Sequence, residues 1–111
     1  MFFLRNHLTI GFAFMKLRWT SRASNDLIKI QRHIAKDKPG AAKAWVEKLR
    51  RRARLAASEP TAGRTVPEFG QDDLREVFLG AYRIVYRVQE DGIAVLTVFE
   101  GHRLFTEEIT K

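Results

Sequence analysis

The chain has no cysteine among its 111 residues. That excludes a disulfide framework, a thiolate nucleophile and any zinc site built on thiolates. It suits a reducing compartment, which makes the cytoplasm the expected location. No apolar run approaches the roughly 20 residues that cross a bilayer, so no membrane partner is expected. There is no glycine-rich phosphate loop, no Ser/His/Asp arrangement and no helix–turn–helix pattern with a reading helix. Repeats and low-complexity segments are absent. The three histidines, His7, His33 and His102, lack metal-ligand spacing. No metal and no cofactor is implied. Acidic residues are scarce in one half: Lys16–Arg64 holds fourteen basic against four acidic side chains, whereas Thr65–Lys111 holds five against nine. The net charge of +7 therefore belongs to the first half of the chain and points to acidic or nucleic-acid partners.

A composition of 45% hydrophobic and 30% charged residues supports one small folded domain. Residues 1–14 (MFFLRNHLTIGFAF) read as an extension before a true start at Met15, with a targeting segment or an added edge strand as alternatives. Residues 15–111 read as a single domain. Met15–Thr20 alternates apolar and basic side chains, the pattern of a half-buried strand. From Ser21 to Lys36, Ala23, Leu27, Ile30 and Ile34 recur at helical spacing, with Lys29, Arg32 and Lys36 opposite. Lys38-Pro39-Gly40 breaks the pattern, and Pro39 suits a first helical position. A second helix runs to about Ser58, with Ala42, Trp45, Leu49, Ala53 and Ala56 on one side, and Glu59–Gly63 ends it.

The second half is β. Leu74–Leu79 is strand-like, Gly80-Ala81 is a tight connection, and Tyr82–Gln89 alternates strictly. Asp91-Gly92 is a hairpin signal, because glycine accepts positive φ. Ile93–Phe99 is apolar on both faces, so it must be covered on both, one by helices and the other by a partner or the chain's own tail. The order is β-α-α-β-β-β. The expected fold class is α+β, with an antiparallel helical hairpin packed on a small antiparallel sheet.

Three groups of residues stand out as chemistry. Arg50, Arg51 and Arg54 fall away from the apolar stripe of the second helix and form a candidate phosphate-facing patch, or an ordinary solvated face; Arg52 falls within the stripe and must snorkel or find an acidic partner. Arg83 and Arg87 share one strand face about 7 Å apart, a spacing suited to phosphates, to carboxylates or simply to solvent. His102 and Arg103 follow the last strand, where a fixed backbone can present a general acid and a cation. With Glu68 as base, His102 completes a candidate pair for RNA cleavage, though nothing in the sequence makes them meet.

Several stretches resemble the RelE/ParE toxin superfamily: Lys16-Leu17-Arg18-Trp19-Thr20, Asp37–Ala42 between the helices, Gly63–Glu68, Leu74-Arg75-Glu76-Val77, Tyr82-Arg83-Ile84-Val85-Tyr86-Arg87-Val88, and Gly101-His102-Arg103. The likeness runs from Met15 to about Phe105. It implies a bacterial type II toxin held in a hetero-oligomer by a cognate antitoxin, with Ile93, Val95, Leu96 and Val98 as the antitoxin-binding surface. It also implies one of two targets. The ribonuclease branch cuts mRNA on the ribosome; there Glu68 would take the 2′-hydroxyl proton, Arg83 steady the phosphate and His102 protonate the leaving oxygen. The other branch poisons DNA gyrase by binding, with Arg50, Arg51, Arg54, Arg83, Arg87 and Arg103 as candidate contacts to target or nucleic acid.

The departures favour the second branch. The aromatic residue that follows the histidine in such nucleases is Arg103 here, no tyrosine follows Tyr86, and the lysine-rich loop reads Phe69-Gly70-Gln71-Asp72-Asp73. The chain is thus expected to be ParE-like, with the ribosome-dependent nuclease as the alternative and an inactive or basic nucleic-acid-binding module as a third.

Overall fold

The computed structural model describes residues 15–101. The chain runs β1 (Lys16–Trp19), α1 (Ser21–Asp37), α2 (Pro39–Ser58), a short 3-10 turn (Pro60–Ala62), β2 (Arg64–Thr65), β3 (Leu74–Leu79), β4 (Tyr82–Gln89) and β5 (Gly92–Glu100). The five strands form one sheet in the order β1-β5-β4-β3-β2. The expected α+β class holds, with two corrections. The sheet is mixed, because β1 pairs parallel with β5, Lys16 opposite Gly92 and Trp19 opposite Val95. It also gains β2, whose two residues pair antiparallel with β3. A strand that short carries no periodicity to read.

Local chemistry sets the helix bounds. Thr20 caps α1: its hydroxyl accepts from the Ala23 amide at 3.1 Å. The same hydroxyl donates to the Leu96 carbonyl at 3.1 Å, which ties the start of α1 to β5. Lys38 leaves helical geometry at φ −138°, and Pro39 restarts the chain as α2. Both helices lie on one face of the sheet. Ala23, Leu27 and Ile30 of α1 and Val46, Leu49, Ala53, Ala56 and Ala57 of α2 pack on Val77, Ile84, Tyr86, Ile93, Val95 and Val98. Each fully buried Leu or Ile here contributes about 1.5–3 kcal/mol. Arg52, which the wheel places within the apolar stripe, is half-buried and donates to the Phe78 carbonyl at 3.3 Å.

The opposite sheet face has a second, smaller core of Val66, Leu74, Val85, Leu96 and Phe99, with Phe69 against it. A register shift joins the two cores. Val85 pairs with Thr97 but Tyr86 with Val95, so Leu96 is the extra residue of a bulge. The bulge resets the alternation: Val95 and Val98 both face the helices while Leu96 faces away. Ile93–Phe99 is therefore apolar on both sides for an internal reason. Beyond Trp19, where β1 ends, α1 covers the edge of β5: the Asp26 carboxylate accepts from the Val98 amide at 3.0 Å and the Thr97 hydroxyl at 2.6 Å.

Candidate functional site

The outer sheet face carries the residues on which a nuclease reading depends. Arg83 projects there from β4, opposite Phe99 on β5 and Phe78 on β3. Its side chain is 7% exposed, and that of Glu76 is 0% exposed. The two form an ion pair in which the Arg83 Nε also donates to Glu76 Oε1 at 2.8 Å. Glu68 closes the other end of the guanidinium, with Nη1 to Oε2 at 3.0 Å and Nη2 to Oε1 at 3.1 Å. Phe99 stacks on the same guanidinium, 5.3 Å from its carbon. Arg64 reaches over from β2 to the second oxygen of Glu76 and lies over the Phe78 ring. Arg64, Glu76, Arg83 and Glu68 thus make a chain of alternating charge that sums to zero.

Two consequences follow for chemistry. The hydrogen bond from Arg83 holds the Glu68 carboxyl below its ordinary range, against the opposing effect of its partial burial. A depressed carboxylate is a poor proton acceptor, which is the reverse of what a general base near neutrality needs. Burial alone would lower the Arg83 guanidinium, but the hydrogen bonds it donates to Glu68 and Glu76 outweigh that and raise it. Its donors are directed at these carboxylates, and a phosphate reaching Arg83 must displace one of them.

Arg87 lies on the same face as Arg83, as the alternation requires, but Asp73 takes it at 2.6 Å. The two arginines face the chain's own acids rather than open solvent. His102 and Arg103 lie outside the described residues; the last feature before them is the Gly101 amide donating to the Ala81 carbonyl at 2.7 Å. The four residues expected to meet an antitoxin are placed in the interior. Ile93, Val95 and Val98 lie beneath the helices, and Leu96 belongs to the second core, covered by Val66 and Phe69. On the second face of β5, Leu96 and Phe99 cluster with Val66, Leu74 and Val85, and Phe69 packs against them; the tail expected as an alternative cover lies outside the described residues. Among the described residues, the large apolar side chains left exposed are Met15, Ile28, Leu55 and Phe78.

The arginine run of α2 is divided. Arg50 lies over the Trp19 ring at 5.7 Å and Arg54 pairs with Glu47 at 3.2 Å, which leaves Arg51 as the exposed cation with no described partner. Sequence density of charge does not reveal which members are already engaged. A shallow groove runs between α1 and the ends of β4 and β5, lined by Lys29, His33, Tyr82 and Glu100. Burial, then the neighbouring Glu100, raises the Tyr82 phenol. Among the described residues no cluster of His, Asp or Glu is arranged to hold a metal ion, and no helix is long and apolar enough to cross a membrane.

Residues 17–105 match the family described as ParE toxin of type II toxin-antitoxin system, parDE. Among solved structures, the chain is similar to one titled "Chromosomal ParDE TA system from P. aeruginosa". The TM-score is 0.67 at 22% identity, over 78% of this chain and 96% of that one. At that identity the likeness is one of fold. No curated protein matches the chain.

Proposed function

This chain belongs to the family of ParE toxins of type II toxin–antitoxin systems, and we propose that it arrests growth by binding DNA gyrase and is neutralised by a cognate antitoxin. The action is one of protein binding, with no bond made or broken by the toxin. The observation that carries this over the nuclease reading is the state of Arg83. A ribonuclease of this superfamily needs that arginine free for a phosphate; here Glu68 and Glu76 occupy it, 7% exposed. Glu68, the candidate base, is committed to the same pair and held ionised by it. Arg83 is then a structural residue. Arg87 has the same character, paired to Asp73.

For either protein partner, Ile28, Leu55 and Phe78 are the exposed apolar anchors on the described surface. Ile93, Val95 and Val98 serve the toxin's own core, so contact with an antitoxin falls on the outside of the fold.

The test is to induce the full chain without antitoxin and map cellular mRNA ends within minutes. Growth arrest with intact messages is expected. New cuts at codon-defined positions in translated messages would overturn the proposal and return Arg83, His102 and Glu68 to catalysis. In parallel, co-production with the neighbouring gene's product should restore growth and yield a complex.

A further inference from the structure

The strongest unengaged charge in the described chain is not the arginine run of α2 but one side of α1. Arg22, Lys29, Arg32 and Lys36 are all exposed, and none makes an ion pair, hydrogen bond or ring contact with a described residue. At 100° per residue the four fall within an arc of about 80°. They form a straight row about 21 Å long at 1.5 Å per residue. The row points away from Ala23, Leu27 and Ile30, which hold α1 on the sheet. Its nearest acid by helical position, Asp26, is turned to the edge of β5 by the Val98 amide and the Thr97 hydroxyl. Six other cations of the fold, Lys16, Arg18, Arg54, Arg64, Arg83 and Arg87, are paired with acids. These four stand together without one.

We infer that this face of α1 is a docking surface for the phosphate backbone of duplex DNA. Three observations choose this partner. Protein interfaces are built on apolar anchors and are poor in lysine; the exposed apolar residue of α1, Ile28, lies outside the arc, and two of the four cations are lysines. Single-stranded nucleic acid is held by aromatic platforms along a basic groove, and α1 contains no Phe, Trp or Tyr. A row of cations fixed on a rigid helix suits a rigid, regularly charged backbone, which needs no base reading. The contact is sequence-independent. It stands apart from the gyrase proposal: loss of DNA binding with gyrase inhibition intact would refute this inference alone.

The test is fluorescence anisotropy of the full chain with a labelled 20-base-pair duplex across a salt series. Four phosphate contacts give a slope of log affinity against log salt of about −3.6, so affinity falls about 150-fold between 50 and 200 mM salt. The variant Lys29→Gln/Arg32→Gln should halve that slope to about −1.8, a fall of about 12-fold over the same range. A control on α2, Lys43→Gln/Lys48→Gln, removes equal charge from exposed positions and should leave the slope near its starting value. If the first variant loses its far-UV circular dichroism, Arg22→Gln/Lys36→Gln replaces it with the same expectation. Equal effects of the α1 and α2 variants would overturn the inference, because net charge alone would then explain binding. So would the absence of duplex binding at 50 mM salt, or tighter binding of a single-stranded RNA of equal length or of polyglutamate.

Discussion

Replacing Arg83 by alanine separates a structural arginine from a catalytic one. The variant leaves Glu76 with a side chain that is 0% exposed and a single cation, Arg64, which is itself 60% exposed. Removing one partner of a buried pair costs about 3–5 kcal/mol, because the remaining charge stays buried. Arg64 still serves one oxygen of Glu76, which puts the expected loss near the lower end, about 3 kcal/mol. The stacking on Phe99 goes as well, adding about 0.5–1 kcal/mol. A domain of this size has a total of about 5–15 kcal/mol, and each kcal/mol shifts its melting point by about 4–8 °C. A fall of roughly 14–32 °C is therefore expected. Urea unfolding followed by the fluorescence of Trp19 and Trp45 reads it directly. Glu68→Ala should lose only about 1 kcal/mol, since Glu68 is 37% exposed and Arg83 keeps Glu76. Toxicity of the Arg83 variant should track its folded fraction and recover on cooling. An Arg83→Ala protein as stable as the parent, within about 0.5 kcal/mol, yet no longer toxic, would refute the reasoning and make Arg83 a contact to the target.

Gly92 has φ +154°, and a Cβ there would stand 1.9 Å from the Lys16 carbonyl oxygen. Gly92→Ala should push β1 off β5 and cost about 1–3 kcal/mol. Amide exchange along Lys16–Trp19 should rise well before the rest of the sheet; unchanged protection there would contradict this. Tyr86→Phe should lose about 1 kcal/mol, because the buried phenol donates to the Pro60 carbonyl at 2.6 Å. Thermal melts check it. Asp91, bonded by Arg18 through both oxygens, has its carboxyl lowered from 3.8 to about 2. A carboxyl lowered on folding stabilises above its unfolded value, and that contribution is lost as pH falls from about 4 to about 2. The wild-type acid limb should therefore be steeper in that window than that of Asp91→Asn, with the difference shrinking in high salt.

Most elements were legible because their signals are local. The helical stripe of Ala23, Leu27, Ile30 and Ile34, the Lys38-Pro39 break, the Gly80-Ala81 connection and the alternation of Tyr82–Gln89 each lie within a dozen residues. The α+β class follows from them. What was not legible depends on distant partners. The parallel pairing of β1 with β5 joins residues 76 positions apart, Lys16 and Gly92. The bulge at Leu96 hides in a run where every residue but Thr97 is apolar, so the inward and outward sets could not be assigned. Ile93, Val95 and Val98 join the helix-side cluster and Leu96 the opposite one, a division the run itself does not display.

The site follows the same rule. Arg83 and Glu68 were singled out, but their pairing spans 15 residues and Glu76 was not counted with them. An acid and an arginine seven positions apart on hairpin-paired strands, as Glu76 and Arg83 are, was the available signal. On the helices, sequence counts gave the density of charge and not its engagement. The α2 run shows as dense charge in the sequence, while α1, whose Lys29, Arg32 and Lys36 read as a polar face, holds a row of four cations unpaired among the described residues.

The central claim is that the toxin acts by binding gyrase. Its most direct test is negative supercoiling of relaxed plasmid by purified gyrase and ATP, titrated with the full chain. The account predicts a dose-dependent loss of supercoiling at toxin concentrations near those of gyrase, reversed when the antitoxin is added. Full supercoiling activity at toxin concentrations that arrest growth, with ribosome-bound mRNA cut under the same conditions, would contradict it.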